Sequence, residues 1–375
     1  MPAPVFYVAC PIGDRTAGPE ALALMVDSIR KRGIEAYLLP MRNFRGKSMH
    51  PEYAGFDAPI AGSMPRGENN HLVLTEVSPI ENYSELQRTP NQNIWMFWLS
   101  VNNSPIPRAR LFTAGQGDCS FMPAGVDQSF VESDLWPYDD KPLGQSVNRI
   151  YAEAARRKGG HGVHSVKSVA IEALSIAYAE RVVKRNINFA TQSYYGQSFI
   201  KNQLGRNSFL LTDYPNTPQI RDLPKQKNLI VYNGAKGTWK IGDIKTLVPK
   251  AEFVPIEGMS FIQVCELLSQ ATLYLELGHM PGRDRLPREA AMYGTPTVML
   301  ARGAGYCWVD FPIGTTYRIP YTVNWAQNMA PVVQGVLNDS TQIVLDQASF
   351  REWVAGEPQR YETSMDAWMT SVLDR

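Results

Sequence analysis

Short apolar runs that alternate with amphipathic segments constrain the fold of this chain more than any other feature of its sequence. Residues 5–9 are rich in β-forming side chains, and apolar side chains at positions 22, 25, 26 and 29 then follow the spacing of an amphipathic helix. Residues 34–39 are predicted to form the next strand. A strand, a helix and a second strand in succession form a βαβ unit, which requires a parallel sheet covered by helices. The chain is therefore predicted to begin with an α/β layer.

The same alternation returns after residues 212–223, a connection rich in Pro, Asn and Asp that we interpret as an interdomain hinge. Further strands of the first half are predicted at 71–77 and 93–101, and a helix rich in Lys and Arg at 152–185. In the second half, strands are predicted at 228–232, 252–256, 272–276 and 296–300, and helices at 260–270, 287–293 and within 350–373. The pattern predicts two successive α/β domains.

The composition excludes several classes of protein. Among 375 residues, 37 Lys and Arg oppose 36 Asp and Glu, so no general positive field would draw a polyanion onto the whole surface. The cysteines are scattered without a CxxC pair, which excludes a metal knuckle and favours a reducing compartment. Residues 94–101, the most apolar stretch, are far fewer than the roughly 18–20 of a membrane-spanning helix. We expect a cytoplasmic protein (or one in the host cytoplasm, if phage-encoded), at most peripheral to a membrane, without an integral membrane segment.

Residues 277–300 contain the strongest indication of a ligand site, because a glycine-bearing loop there joins a predicted strand to a predicted helix. Ligands bind at this edge of parallel α/β sheets. Arg283, Arg285 and Arg288 lie within six residues and carry guanidinium groups suited to phosphate. The segment therefore predicts a phosphate-binding loop.

Backbone amides and one carboxylate extend this prediction to a nucleotide. The amides of Gly282 and of the helix start at Arg288 and Glu289 can face a phosphate. The Glu289 carboxylate suits vicinal hydroxyls such as those of a ribose. A purely structural loop, in which Asp284 pairs with an arginine, is the alternative.

The end of this segment resembles the nucleotide loop of retaining GT-B glycosyltransferases, the family 4-like group, in which a Glu-Ala pair precedes Gly-Thr-Pro. Glu289-Ala290 and the GTPTV run at 294–298 carry that resemblance. The HMPGRDRLPREA run at 279–290 resembles more narrowly the HPGKDRxPREA loop of a group of bacterial and phage glycosyltransferase-like proteins. Other matching pieces, in chain order, are TAGPE at 16–20, WLSV at 98–101, QSYY at 192–195, DY at 213–214 and KG at 236–237.

The resemblance implies a GT-B fold of class α/β, in which two Rossmann-like domains face each other across a donor-binding cleft. The implied parts are an N-terminal acceptor-side domain at 1–215, a nucleotide-sugar-binding domain at 216–345, and a C-terminal helical segment at 346–375 that packs back on the first domain.

The resemblance also implies roles for single residues. Glu289 would hold the ribose of a nucleotide-sugar donor, with Lys236 and Arg283 or Arg285 beside the diphosphate. The remaining predicted donor-binding residues are Gly282, Arg288 and Thr295, and those of the first loop are Gly13, Arg15 and Gly18. Retaining families have a second acidic residue, which contacts the donor sugar, eight positions before the ribose glutamate. This chain has Pro281 there.

We expect transfer without a metal or another cofactor, because cationic side chains and a helix terminus can stabilise a leaving diphosphate. The sequence has no Asp-x-Asp triplet, and Asp139-Asp140 is the nearest approach to one. If the reaction inverts the sugar, a base must deprotonate the acceptor. Asp14 is the candidate base, with Glu20 one helical turn further on, and a turn or cap role for Asp14 is the alternative.

The predicted function is transfer of a hexosyl or pentosyl group from a nucleoside diphosphate, UDP or GDP first, to an acceptor hydroxyl. Acceptors left open are a polysaccharide, a lipid-linked sugar, a protein and a hydroxymethylated base of phage DNA, the last because residues 156–185 are basic. The rivals are a nucleotide-sugar epimerase of the same fold and a non-catalytic nucleotide-sugar-binding or scaffold protein.

Two further features are interpreted as structural, and the role of a third is left open. The aromatic run of Trp95, Phe97 and Trp98 is predicted to be core and not a base-stacking surface. His161 and His164 lack a third metal ligand nearby. For His279, a hydrogen bond within the loop and contact with the donor are both left open.

Overall fold

The computed structural model describes residues 3–13, 16–77, 79–106, 109, 166–215, 218, 220, 223–236 and 241–374. Within these ranges two parallel sheets are present, one of six strands and one of five. The strands are β1 Val5–Cys10, β2 Glu35–Pro40, β3 Asn70–Thr75, β4 Ile94–Trp98, β5 Asn188–Thr191, β6 Phe209–Leu210, β7 Leu229–Asn233, β8 Glu252–Ile256, β9 Leu273–Glu276, β10 Thr297–Ala301 and β11 Arg318–Pro320. The α-helices are α1 Ala17–Lys31, α2 Tyr83–Arg88, α3 Val166–Val183, α4 Tyr194–Leu204, α5 Ile241–Leu247, α6 Phe261–Gln270, α7 Arg285–Met292, α8 Trp325–Asn338, α9 Thr341–Asp346, α10 Ala348–Ala355 and α11 Glu357–Leu373.

Both sheets reverse their strand order at a central strand. The first has the order β2-β1-β3-β4-β5-β6 and the second the order β11-β10-β9-β7-β8, with parallel pairing throughout. The reversal lies at β1 in the first sheet and at β7 in the second. At each reversal, adjacent strands are followed by connections that run to opposite sides. Such a reversal opens a crevice at the carboxyl ends of the strands, where ligands bind in open α/β sheets.

The predicted βαβ start of the chain is confirmed. Helix α1 buries Leu22, Met25, Val26 and Ile29, each at most 2% exposed, against the first sheet. Pro19 lies in its first turn, and Gly33, with φ of +76°, follows its end in a conformation that favours glycine. The strands predicted in the second half are found within one or two residues of their predicted positions.

Several elements differ from the sequence predictions. Strands β5, β6 and β11 have four, two and three residues, which is too short for a period to emerge from the sequence. The segment predicted to be helical at 350–373 contains two helices, because the first ends before Gly356 and the second begins just before Pro358. Of the basic helix predicted at 152–185, α3 is observed, and residues 152–165 lie outside the described residues, as do His161, His164 and Asp139-Asp140.

The aromatic run of β4 is core, as predicted. Trp95, Phe97 and Trp98 are each at most 2% exposed. Trp95 packs edge-on against Trp368 of α11, with ring centroids 5.3 Å apart, whereas Trp98 faces the opposite side of the sheet and packs on Phe199 of α4 at 5.0 Å. Successive strand residues thus supply the two cores on either face of the first sheet.

The end of the chain returns to the first sheet. Trp368 also packs against Phe6 of β1, with centroids 5.6 Å apart, and Arg32 after α1 pairs with Glu362 and Asp366 of α11. The chain passes between the sheets after β6 and before β7, around the boundary predicted at 215 and 216. No helix in the described ranges is both long enough and apolar enough to span a bilayer.

Candidate functional site

A cleft of about 970 Å³ separates the carboxyl edges of the two sheets. The first half contributes the turn at 16–20 and residues 75–77 after β3. The second half contributes Lys236 after β7, the start of α6 and the start of α7. Each wall is therefore built from loops beside the central strand where its sheet reverses.

Lys236 lies on the wall of the second half and is paired with Asp284. The Nζ of Lys236 lies 2.5 Å from Oδ2 of Asp284. Glu276, at the end of β9, is fully buried behind them, and its carboxylate accepts hydrogen bonds from the Tyr274 hydroxyl at 2.6 Å and the Gly278 amide at 2.7 Å. Burial raises the pKa of Glu276, and the nearby Asp284 charge raises it further. The Lys236 ammonium is thus held at the cleft wall by Asp284, with the Glu276 carboxyl group buried behind them.

Arg285 and Glu289 face the cleft one turn apart on α7. The Nη2 of Arg285 lies 2.8 Å from Oε1 of Glu289, and Nη1 of the same guanidinium pairs with Glu20 of the first half. The guanidinium also lies over the Phe261 ring, with Cζ 5.3 Å from its centroid. Burial raises the pKa of Glu20 although the Arg285 charge lowers it. Arg285 therefore spans the cleft between two carboxylates.

Arg283 and Arg288 are placed away from the cleft, which differs from the prediction that they face a phosphate. Arg288 is fully buried, with Nη1 3.0 Å from Oε2 of Glu357 and Nη2 3.1 Å from Oδ1 of Asp213. Arg283 is 4% exposed, pairs with Glu357 and lies 3.8 Å from Asp310. Both guanidinium groups are occupied by buried carboxylates, so they anchor the loop and the two chain crossings between the halves.

Asp310 connects this ion network to the first half of the chain. Its carboxylate accepts the Tyr194 amide at 3.0 Å and the Tyr195 amide at 2.9 Å, which are the first amides of α4. Burial raises the pKa of Asp310 to about 6, although the Arg283 charge and these two amides lower it. A side chain of the second half thus caps a helix of the first. The DY pair at 213–214 had drawn attention to Asp213 in the sequence, whereas no sequence motif included Asp310 or Glu357.

The loop before α7 rests directly on the first half. The Val101 amide donates to the Pro281 carbonyl at 2.7 Å, and Nε2 of His279 lies 2.7 Å from Oδ1 of Asn102. A Cβ at Gly282 would lie 2.1 Å from the Leu99 carbonyl oxygen. Position 282 therefore requires glycine for close approach of two backbones. His279 makes a hydrogen bond between the halves, and Pro281 meets the first half through its carbonyl group.

Of the remaining predicted residues that the structure describes, Gly18 lines the cleft, whereas Thr295 and Gly13 do not. Thr295 precedes β10 at the opposite edge of the sheet, is 1% exposed, and donates to the Leu268 carbonyl. Gly18 lines the cleft in the first turn of α1. Gly13 follows β1 with φ of +92°, packed near Lys47. Asp14 and Arg15 lie outside the described residues.

Glu76 is a cleft residue that no motif marks. It follows β3, is 1% exposed, and accepts the Ser100 amide at 2.7 Å and the Leu99 amide at 3.1 Å. Burial raises the pKa of Glu76 to about 7, although the amides lower it. Its only sequence signal is an acidic side chain directly after an apolar parallel strand. In the described ranges, no group of three His, Cys, Asp or Glu side chains is arranged to hold a metal ion.

No model of a known protein family matches the sequence, and no curated relative matches it. Solved structures do match the fold. Sucrose-phosphate synthase of Thermosynechococcus elongatus has a TM-score of 0.56 at 11% identity, with 99% of each chain covered. UGT2 of Phytolacca americana, solved with UDP-2-fluoro-glucose and pterostilbene, has a TM-score of 0.51 at 10% identity, with 100% of each chain covered. With the two facing parallel sheets and the returning C-terminal helix, these likenesses show a GT-B fold.

Proposed function

We propose that this protein is a glycosyltransferase that moves a sugar from a nucleoside diphosphate to an acceptor hydroxyl. The observation that carries the proposal is the grouping of Lys236, Arg285 and Glu289 on one wall of the cleft. Two cations suit a diphosphate, and a carboxylate beside them suits the hydroxyls of a ribose. All three lie at the carboxyl edge of the second sheet, where its strand order reverses.

In the proposed reaction, Lys236 and Arg285 stabilise the diphosphate as the bond between the sugar and the phosphate oxygen breaks. The negative charge that develops on the leaving oxygen is then close to two fixed positive charges. In the free protein both cations are paired with carboxylates, Lys236 with Asp284 and Arg285 with Glu289 and Glu20. These pairs hold the cations in position before the donor arrives, which reduces the cost of ordering them.

Arg283 and Arg288 have a positioning role in this proposal and do not contact the donor. Through Glu357, Asp213 and Asp310 they fix the loop that precedes α7. The direction in which Arg285 and Glu289 face the cleft follows from that anchoring. The donor site we propose therefore retains Lys236, Arg285 and Glu289 from the predicted set and adds the Asp284 carboxylate as a partner of Lys236.

Within this proposal the reaction uses no metal ion or other cofactor, and the sugar is carried by UDP or GDP. UDP is tested first because the Phytolacca americana structure is described with a UDP-sugar analogue. The resemblance of the Glu289-Ala290 pair and the 279–290 loop to the family 4-like group supports the proposed donor site. The stereochemistry of that group is not part of the proposal, because Pro281 stands where retaining families have an acidic residue. A glycan, a lipid-linked sugar or a modified DNA base would bind against the first half, in the cytoplasm.

A nucleotide-sugar-binding protein without transfer is the second candidate, and one observation favours it. Where retaining families have an acidic residue against the donor sugar, this chain has Pro281, whose carbonyl accepts the Val101 amide. Tight donor binding with neither transfer nor donor hydrolysis would support this candidate. An epimerase would instead convert the donor without any acceptor.

Thermal unfolding with UDP, GDP, ADP, CDP and TDP tests the donor site on the wild type, Glu289→Gln and Glu252→Gln. Glu252 is an exposed residue at the start of β8, at the edge of the sheet away from the cleft, and serves as the control. A nucleotide at 100 times its dissociation constant stabilises a protein by about 2.7 kcal/mol. We expect one nucleotide to stabilise the wild type and the control but not Glu289→Gln. No stabilisation by any of the five would overturn the proposal.

A further inference from the structure

Glu76 lies on the wall of the cleft opposite the proposed donor residues. Strand β3, which it follows, pairs with β1 in the register Val8 to Val73. The carboxyl end of β3 therefore meets the turn at 16–20 that leads into α1, and Thr75, Glu76 and Val77 line the cleft together with that turn. The Glu76 carboxyl group thus belongs to the part of the cleft that a second substrate would occupy.

The contacts of Glu76 differ from those of Glu20, Asp284 and Glu289. Its two oxygens accept the amides of Leu99 and Ser100, and the backbone amide of Glu76 itself also donates to the carboxylate, which leaves one acceptor position. Glu20, Asp284 and Glu289 all pair with cations, whereas no described cation lies within ion-pair distance of Glu76. The amides fix the direction of the carboxyl group. In the described ranges, no neighbouring cation lowers its pKa through an ion pair.

We propose that Glu76 is the acceptor-side base of the cleft, which binds the acceptor hydroxyl and takes its proton during transfer. This inference rests on the proposed function. The acceptor oxygen forms its bond to the sugar carbon as the bond between that carbon and the diphosphate oxygen breaks. The proton moves to a Glu76 oxygen, and the electron pair of the broken bond leaves with the diphosphate, beside Lys236 and Arg285.

The proton affinity of Glu76 agrees with this role. Burial raises the pKa of Glu76 to about 7. A base whose pKa lies near the working pH is ionised often enough to act and basic enough to accept a proton. A carboxyl group with an ordinary pKa would be a weaker proton acceptor at the same place.

The surrounding wall favours a neutral acceptor. Its described residues include the apolar side chains of Met41, Phe44 and Tyr53 and the carboxylates of Glu20 and Glu52. Aromatic and apolar surfaces suit the apolar face of a sugar ring, whereas carboxylates oppose the approach of phosphate or uronate charges. Of the acceptors considered above, the wall therefore fits a neutral sugar hydroxyl better than a DNA backbone.

The test measures turnover of the nucleotide sugar whose nucleotide stabilises the protein, from pH 5 to pH 9. The acceptors are water alone, p-nitrophenyl glucoside, p-nitrophenyl glucuronide and an oligonucleotide with 5-hydroxymethylcytosine. Wild type is compared with Glu76→Gln and with Glu252→Gln, which changes the exposed glutamate at the start of β8, away from the cleft. Thermal stabilisation by the nucleotide is recorded for each.

We expect wild type and Glu252→Gln to gain rate up to about pH 7, with the glucoside preferred over the glucuronide and the oligonucleotide. In Glu76→Gln we expect turnover to fall at least 100-fold and to lose this pH dependence, while stabilisation by the nucleotide remains. Retained turnover, or an unchanged pH profile, in Glu76→Gln overturns the role of Glu76. Preference for the charged acceptors overturns the neutral acceptor.

A conservative variant covers the case in which Glu76→Gln fails to fold. Glu76→Asp keeps a proton acceptor and should retain a reduced rate that still rises with pH. Loss of that rise in a folded Glu76→Asp would contradict the proposal. Failure of the donor site is separable, because there the wild type itself would show no stabilisation by any nucleotide.

Discussion

Glu20 in the first turn of α1 pairs with Arg285 in the first turn of α7, so one ion pair joins the two walls of the cleft. The same guanidinium bonds Glu289 on its own helix. A diphosphate that binds Arg285 must therefore compete with a carboxylate of the protein. The pair keeps Arg285 in place, but it also opposes donor binding.

The first prediction concerns this competition. Glu20→Gln should raise affinity for the nucleoside diphosphate by about three- to tenfold, or up to about 1.4 kcal/mol, because the competing charge is removed. Isothermal titration of wild type and variant measures it, with Glu52→Gln as a control on the same wall. Weaker binding in Glu20→Gln would mean that Glu20 assists the donor.

The second prediction concerns Lys236. Lys236→Ala should weaken binding of the nucleoside diphosphate by about 10–100-fold, with a much smaller effect on the monophosphate, because one charge-assisted contact to phosphate is worth about 1.5–3 kcal/mol. Competition titrations with both nucleotides give the ratio. Lys250→Ala, at an exposed position after α5, should leave both affinities unchanged. Equal losses for both nucleotides would contradict a diphosphate contact.

The third prediction separates two arginines one turn apart. Arg288→Ala should lower the free energy of unfolding by about 3–5 kcal/mol, because it leaves the buried carboxylates of Asp213 and Glu357 without their cation. Arg285→Ala should cost less, because the Arg285 side chain at the cleft wall is 14% exposed whereas that of Arg288 is 0% exposed, and it should abolish nucleotide binding. Denaturant unfolding and nucleotide titration of both variants provide the comparison. If Arg285→Ala instead caused the larger loss of stability and Arg288→Ala abolished nucleotide binding, the roles of the two arginines would be exchanged.

The fourth prediction is a pH dependence of stability. Burial raises the pKa of Glu76 from its ordinary value near 4.5 to about 7, so between these values the folded protein binds more protons than the unfolded chain. Stability from this group is then greatest below about pH 4.5 and is lost as pH rises through about 7. Wild type should lose stability relative to Glu76→Gln from pH 5 to pH 7.5 in thermal unfolding. A difference that stays constant across this range would show that Glu76 is not protonated in the folded state.

The fifth prediction tests the contact between the halves. Gly282→Ala places a methyl group within 2.1 Å of the Leu99 carbonyl oxygen, so the loop must move away from the first half. Such overpacking costs about 1–3 kcal/mol or more. Gly242→Ala in α5, where a Cβ would have no neighbour within 4 Å, is the matched control and should be neutral or slightly stabilising. Equal melting temperatures for the two variants would contradict the close approach.

Local pattern was enough to predict the alternating strands and helices and the loop that carries Arg285 and Glu289. It could not assign the three neighbouring arginines to different partners. The carboxylates that pair with the buried Arg288 belong to Asp213 and Glu357, which lie about 70 positions away in opposite directions along the chain. Nothing in the sequence brings those residues together before the fold exists. Glu76 was missed for a related reason, since its environment is made by β4 and not by its neighbours in sequence.

The cap that Asp310 places on α4 has a consequence for how the molecule comes apart. Were the second half to unfold alone, the first amides of α4 would lose their acceptor, and Asp213 would lose Arg288. Each half therefore draws part of its own stability from the other. Although it contains two sheets, the protein should melt in a single cooperative transition, and neither half expressed by itself should reach the stability that it has in the intact chain.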